Sequence, residues 1–392
     1  MKVFIRSLYI DLRNRIEKMI SYLEQISMER AVASTFKSKT KDALITLRDE
    51  LNRTIASGTL EMDVFLRNNI IKYNSFYYEF VEIELFRYLV IINYKDSAEG
   101  FFEKVIDKIY NEIDCLQSIP FISTISNSDS YYWAYPKYNM IALPQGEEKN
   151  LMNLSDLYHE SGHLIFLQSK SYLVYNHISR LTVIYQRTIN YIKDSGLSSS
   201  FIKDINESIK FWENSWAEEI ACDLIGTILV GPAYAWTNLK IATISINSCG
   251  IYSENQVLEI DKTRDNCIFR THPPDETRMR AIFKMLEITG FGNDLIEIKK
   301  AWASFLEKNS SKKSDIYDLI FPDELVDSIT NNVLNGCSAI SLRNYSDQFT
   351  TFKNPVSKII NDAWQLIRSD PDSFLVWEEE NLKKLSDLNV KV

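Results

Sequence analysis

The sequence predicts a mainly α-helical protein with a small β-sheet, and three observations lead there. Apolar residues recur at spacings of three and four through most of the chain, the period of a half-buried helix. Only 11 Gly and 9 Pro interrupt 392 residues. β-Branched and aromatic residues concentrate in one stretch, FISTISNSDSYYWAYPKYNMIALPQGEE, which is punctuated by Pro136 and Pro144 and reads as one or two short strands with turns.

The elements follow in order. Phe4, Ile5, Leu8, Leu12, Ile16, Ile20 and Leu23 fall on one helical face, and residues 60–94 and 98–119 continue the pattern with an apolar stripe of bundle-core character. Character changes at Pro120 with the strand-forming stretch. Helical periodicity returns over 150–168, with Asn150 or Asn153 as N-cap. It dominates to residue 242, with 220–236 read as one core helix, and again over 275–308. The polar segment NSSKKS at 309–314 reads as a linker. Helical stretches at 316–334 and 356–388 follow, separated by a loop carrying Gly336, Asn344 and Pro355. The expected regions are therefore 1–118, helical; 119–308, the core that carries the chemistry; and 309–392, helical.

Composition removes several function classes. With 44 Lys+Arg against 53 Asp+Glu the formal net charge is −9, so the basic footprint of a nucleic-acid binder is missing. The five cysteines, Cys115, Cys222, Cys249, Cys267 and Cys337, are odd in number and form no CxxC, which argues for free thiols in a reducing compartment. Arg6 and Asp11 break the N-terminal apolar run before it reaches signal-peptide length. The most apolar run, 220–236, contains Asp223 and falls short of the roughly 20 residues that span a bilayer. A soluble, cytoplasmic protein without a membrane span is expected. The chain has no G-x-x-x-x-G-K-[ST], G-x-G-x-x-G or G-x-S-x-G motif, so phosphate-loop, dinucleotide and serine-elbow chemistries lack their signatures.

One pentapeptide carries chemistry: His159-Glu160-Ser161-Gly162-His163, an HExxH within the apolar helical context LYHESGHLIF. Residues four apart share a helix face, so both imidazoles can grip one metal ion, and Glu160 beside them can take a proton from an activated water. A catalytic zinc needs a third protein ligand, and the search leads to Glu218, Glu219 and Asp223, carboxylates in an otherwise apolar helix. Ser215-x-x-Glu218 fits a capping box, and a solvated face suits Glu218 equally. Glu219 lies one helical turn before Asp223, a spacing that suits a metal ligand plus a carboxylate orienting a ligating imidazole. Glu219 is favoured as third ligand. His272, in Thr271-His272-Pro273-Pro274, is pinned by two prolines and is a candidate donor to a developing oxyanion. Of the four histidines only His177 lacks a role, and it is read as lying on a solvated or ordinarily packed face.

HExGH, an ExxxDxxG helix and THPPxxxR in this order resemble the zinc peptidases of family M48, the Ste24, HtpX and Oma1-like gluzincins. The resemblance runs from about Tyr131 to Ile282 and implies a zincin-like metallopeptidase core between helical flanks. It implies zinc on His159, His163 and Glu219, Glu160 as general base, and family counterparts for Asp223, His272 and Arg278. Residues 138–144, with Asn139, Ile141 and Ala142, are similar to the strand along which an extended substrate would pair. Tyr234 and Arg278 are further candidates for contacts to substrate or oxyanion. The membrane helices of embedded members have no counterpart here, so membrane substrates are not implied.

The expected function is zinc-dependent hydrolysis of protein or peptide substrates. The competing readings are a non-catalytic zinc-containing scaffold or sensor and a zinc hydrolase of a non-peptide amide. The flanking regions are open to three roles: covering the cleft, holding a regulatory partner protein, or restricting substrate access.

Overall fold

A computed structural model describes residues 2–94, 96–110, 113, 118–126, 132–144, 147, 150–244, 251–252, 272–308, 313–342 and 355–387. The architecture is mainly α with a small β component. Two compact units separate: Met1–Glu99 with Pro120–Ile125, and Gly100–Ile119 with Ser126–Val392. These units are drawn differently from the three expected regions, since the C-terminal helices share a unit with the 119–308 segment. Among the described residues no helix is long and apolar enough to cross a membrane.

In the first unit, α1 (Lys2–Gln25) packs on α2 (Ala31–Ala56) and on α3 (Leu66–Ile83), which runs through a π-helical turn at Glu84–Tyr88 into α4 (Leu89–Ile92). Leu12, Ile16, Ile20 and Leu23 are buried as the periodicity predicts, and Tyr9 joins them, donating its hydroxyl to the Asn69 carbonyl at 2.7 Å. The buried Arg87 donates to Thr40 Oγ1 at 3.1 Å. Strand β1 (Phe121–Ser126) stacks Phe121 on Phe36 with ring centres 4.2 Å apart.

The strand-rich stretch yields three short strands rather than one or two. After α5 (Asp96–Tyr110) and β1 come β2 (Trp133–Tyr135) and β3 (Met140–Pro144), antiparallel with Ala134 opposite Ile141. Asn139 closes their connection at φ 50°, the left-handed conformation that Asn tolerates better than most residues.

The rest of the second unit is helical: α6 (Asp156–Leu173), α7 (His177–Asp194), α8 (Ser200–Phe211), α9 (Ala217–Val230), α10 (Pro232–Ile244), α11 (Asp275–Ile288), α12 (Gly292–Lys308), α13 (Tyr317–Ile320), α14 (Asp323–Ala339), α15 (Pro355–Ser369) and α16 (Pro371–Asp387). At its centre is α9, buried at every position but Glu218 and packed against α6, α10, α11, α14 and α15. A helix whose second half is apolar on all sides has to be enclosed this way.

Several local expectations are corrected. The run 220–236 is two helices, broken where Gly231 takes φ 76° and Pro232 starts α10 with an N–H that no helix needs. Gly336 lies inside α14, not in a loop. A Cβ there would meet the Tyr172 carbonyl oxygen at 2.6 Å, so the residue is selected by close packing on α6. Neither Asn150 nor Asn153 caps α6. A 3₁₀ turn at Leu151–Asn153 leads into that helix, and the Asn153 amide donates to Glu147 at 2.7 Å. Residues 309–312 of the expected linker and Asn344 lie outside the described residues, as do Cys115, Cys249 and Cys267; Cys222 and Cys337 are buried.

Of the two positions expected for His177, solvated or packed, it takes the packed one. It is 1% exposed, lies 5.5 Å from the Trp212 ring, and neither ring nitrogen has a hydrogen-bond partner among the described residues. Burial pushes its pKa down to about 4, so the folded state binds this proton less readily than the unfolded chain. Stability from this group is complete above the ordinary histidine value of about 6.5 and is lost as pH falls toward 4. By pH 5 the loss should be about 2 kcal/mol. Urea unfolding at pH 7.5 and pH 5 should show the acid-induced loss shrinking by that amount in His177→Phe.

Candidate metal centre

The HExGH segment occupies the first two turns of α6, with His159 and His163 one turn apart and their ring centres 5.1 Å from each other. The facing carboxylates come from the start of α9. Between the two helices, Gly162 is the contact point: a Cβ there would sit 2.9 Å from the Cys222 Cα. Only a glycine lets the backbones approach this closely, and the approach brings Glu218, Glu219 and Asp223 against the imidazoles.

Each imidazole is held from behind by its Nδ1. That of His159 lies 2.9 Å from the Tyr234 hydroxyl and 3.0 Å from Asp223 Oδ1, while Tyr234 donates to the same Asp223 oxygen at 2.6 Å. The Nδ1 of His163 lies 2.9 Å from Glu218 Oε1. Protons on both Nδ1 atoms leave both Nε2 lone pairs free. These converge on Glu219: His159 Nε2 is 3.4 Å from its Oε2 and His163 Nε2 is 3.7 Å from its Oε1. The ligand atoms of His159, His163 and Glu219 all lie within 4.8 Å of one another. Glu219 Oε2 is buried and accepts no hydrogen bond among the described residues. A buried carboxylate whose two oxygens each face one of the paired Nε2 atoms, with Oε2 making no hydrogen bond among the described residues, suits a divalent cation.

Burial and the neighbouring charges pull these groups in opposite directions. Burial raises the carboxyl pKa of Glu160, against the pull of His159 and His163. Burial would likewise raise that of Glu219, but His272, His159 and His163 hold it below the ordinary carboxylate value. For Asp223, fully buried, the Arg278 guanidinium outweighs burial and keeps the carboxylate charged. His159 is disfavoured as a cation by burial, but the hydrogen bonds to Asp223 and Glu219 outweigh that and raise its pKa to about 10, so a metal ion at Nε2 would take the place of a proton.

The candidate residues thus sort by position. His159, Glu160, His163, Glu219 and Asp223 are brought together, and His272 borders them, its Nε2 3.2 Å from Glu219 Oε2 with 57% of the side chain exposed. Thr271 is outside the described residues.

Tyr234 and Arg278, expected at the substrate or oxyanion, are behind the imidazoles instead. Tyr234 is 1% exposed and its hydroxyl is spent on His159 and Asp223. Arg278 grips both oxygens of Asp223, at 2.7 and 2.6 Å. The expected substrate edge at Asn139, Ile141 and Ala142 is also displaced. Ile141 and Ala142 are fully buried and paired with β2, and the Asn139 amide donates to the Ile119 carbonyl at 3.0 Å. Next to Glu160 is β2, whose Ala134 backbone N–H favours the charged form of the Glu160 carboxyl.

Glu218 is the residue whose part was missed. Ser215 belongs to a π-helical turn, Trp212–Trp216, that joins α8 and α9 without a break, and its hydroxyl donates to the Phe211 carbonyl at 3.4 Å. No helix begins there, so there is no capping box. The signal that was present is the position of Glu218, one residue before Glu219.

Comparison with protein-family models, with curated proteins and with solved structures finds no match for this chain. What the site can do rests on its own geometry: three side chains suited to a cation, two carboxylates orienting the imidazoles, and one buried carboxylate left over.

The α6–α9 approach is directly testable. Gly162→Ala must push the helices apart at backbone, which overpacking elsewhere places at about 1–3 kcal/mol. Denaturant unfolding should report a loss of that size, and calorimetric titration with zinc should report weaker binding, because Glu219 moves away from the imidazoles.

Proposed function

We propose that the chain is a zinc-dependent peptidase, with His159, His163 and Glu219 holding the metal and Glu160 acting as general base. The observation that carries this reading is the division of labour among four carboxylates. Asp223 and Glu218 are spent on imidazole Nδ1 atoms and Glu219 faces both Nε2 atoms. Glu160, 6% exposed, makes no ion pair among the described residues. A site serving only as a structural clamp has no use for a buried carboxyl in that position.

Two His and one Glu suit zinc, and three protein ligands leave a coordination position open, as catalytic sites do. A bound divalent cation supplies Lewis acidity, which lowers the pKa of water toward neutrality and polarises a carbonyl. Glu160 accepts the proton of the attacking water and passes it to the departing nitrogen, the task for which a raised carboxyl pKa is suited. His272, half open to solvent beside Glu219, donates to the oxyanion that develops on the attacked carbonyl. Asp223, Tyr234 and Arg278 keep the His159 ring in the tautomer that presents Nε2. An extended peptide lies along β2, whose residues are half-buried beside Glu160.

Three measurements test the reading. Purified protein should bind close to one zinc per chain, and a chelator should abolish cleavage of an unfolded substrate such as casein. Glu160→Gln should lower turnover by about 10²–10⁴ while zinc stoichiometry is unchanged. His272→Ala should cost about 10²–10³ in turnover. An active Glu160→Gln variant would overturn the assignment. Zinc binding with hydrolysis of small amides but not of peptides would move the substrate class.

A further inference from the structure

Glu218 and Glu219 reach the candidate metal centre by way of the π-helical turn Trp212–Trp216, which runs without a break into α9. The first residue of that turn, the fully buried Trp212, lies against the ring of His177 at the start of α7. Three buried polar atoms beside it have no hydrogen-bond partner among the described residues: both ring nitrogens of His177 and Nε1 of Trp216. The Trp216 ring stands edge-on to Trp212, centres 5.6 Å apart. Trp212 relieves neither neighbour, since its own N–H donates to the Tyr185 hydroxyl at 2.9 Å.

Each orphaned atom carries a desolvation cost that contact with water would cancel. A π-helical turn is also a departure from the favoured helix ladder, found chiefly at functional sites. The join of α8 and α9 is therefore where this helix opens locally before the rest, and opening brings water to the imidazole. The charged residues on the elements packed against α7 are Lys203, Asp204, Glu207 and Lys210 of α8 and Asp323, Glu324 and Asp327 of α14, with Glu213 on the turn itself. None of them holds the ring neutral: burial is the one cause. Closed, the ring binds a proton weakly; open to water, it binds one at the ordinary histidine value of about 6.5. Acid thus favours the open turn progressively as pH falls from that value toward about 4.

We propose that His177 and the π-helical turn form an acid-sensitive latch on Glu218 and Glu219: the neutral ring packs the turn shut, and its protonation opens the turn and draws both carboxylates away from the imidazoles. The latch itself is a property of the helix join. Its consequence for a metal rests on the preceding reading, in which Glu219 is a ligand, and there the coupling is reciprocal: what holds Glu219 in place also holds the turn closed.

Amide hydrogen exchange of the metal-free full chain, corrected for the intrinsic pH dependence of exchange, reads the opening directly. From pH 7.5 to pH 5 the opening constant over residues 208–219 should rise about 30-fold, the factor set by a ring that titrates near 4 when closed and near 6.5 when open. The rise should vanish in His177→Phe and in His177→Met, each with the circular dichroism spectrum of the parent. An equal rise in these variants would overturn the latch, as would a rise in the parent no larger over 208–219 than over α10 and α11. Zinc added to the parent at pH 7.5 should slow exchange over the same residues. Localised opening in acid with no protection by zinc would leave the latch standing and remove Glu219 from the metal.

Discussion

Asp223 has none of its surface exposed, and the rest of the second unit's chemistry hangs on keeping its charge there. Taking a carboxylate out of water costs several kcal/mol even after relaxation. Four groups from three other helices offset that cost: the two Arg278 nitrogens of α11, the Tyr234 hydroxyl of α10 and the His159 ring of α6. The Arg278 pair is the strong one, because a planar guanidinium meets both carboxylate oxygens at once. None of these partners is dispensable, since removing any of them leaves a buried polar group without compensation. The network is therefore a specification for how four helices meet, and the direction of His159 Nε2 is fixed as a consequence of that meeting.

The second imidazole is held differently. His163 has a single carboxylate behind it, and the Glu218 side chain is 33% exposed, so water competes for that bond and screens it. One ring is locked in a buried network with Asp223, Tyr234 and Arg278; the other is steadied by one solvent-touched contact on the same helix as Glu219. Around both rings the carboxylates Glu160, Glu218, Glu219 and Asp223 outnumber the one guanidinium, Arg278. A divalent cation would relieve that imbalance in a largely buried space. The asymmetry also places the adjustable ring on the side where solvent reaches.

Much of this was legible in the sequence because it is periodic. The four-residue steps from His159 to His163 and from Glu219 to Asp223 fix which side chains share a face, and no tertiary information is needed for that. What periodicity leaves open is which face meets which. Tyr234 and Arg278 were correctly associated with the site, yet their direction was missed, since nothing local says that a phenol and a guanidinium will turn toward a buried carboxylate instead of a cleft. The capping box at Ser215 failed for a related reason. The motif is a signal only where a helix starts, and the π-helical turn carries α8 into α9 without a start. That β2, rather than β3, runs beside Glu160 was not legible because β2 is only three residues long, too short for alternation to distinguish it from a turn. Gly336 looked like a loop residue because the signal for close helix packing and the signal for a turn are the same missing Cβ.

Along α9 itself the two demands on a protein, to hold together and to react, are separated by position. Glu218, Glu219 and Asp223 all fall in its first two turns, where the π-helical turn before them sets their direction and α6 faces them across Gly162. From Leu224 to Val230 every side chain is apolar or small apart from Thr227, whose hydroxyl returns to the Asp223 carbonyl at 2.7 Å. This second half is the centre of the core and contributes burial without directional requirements. The polar half is tolerable only because the apolar half anchors it: a helix with two buried carboxylates and a third partly exposed gains little from its own first turns, and its position must be imposed by the packing of the turns that follow. A sequence that kept the carboxylates and thinned the apolar half would lose the site before it lost the helix.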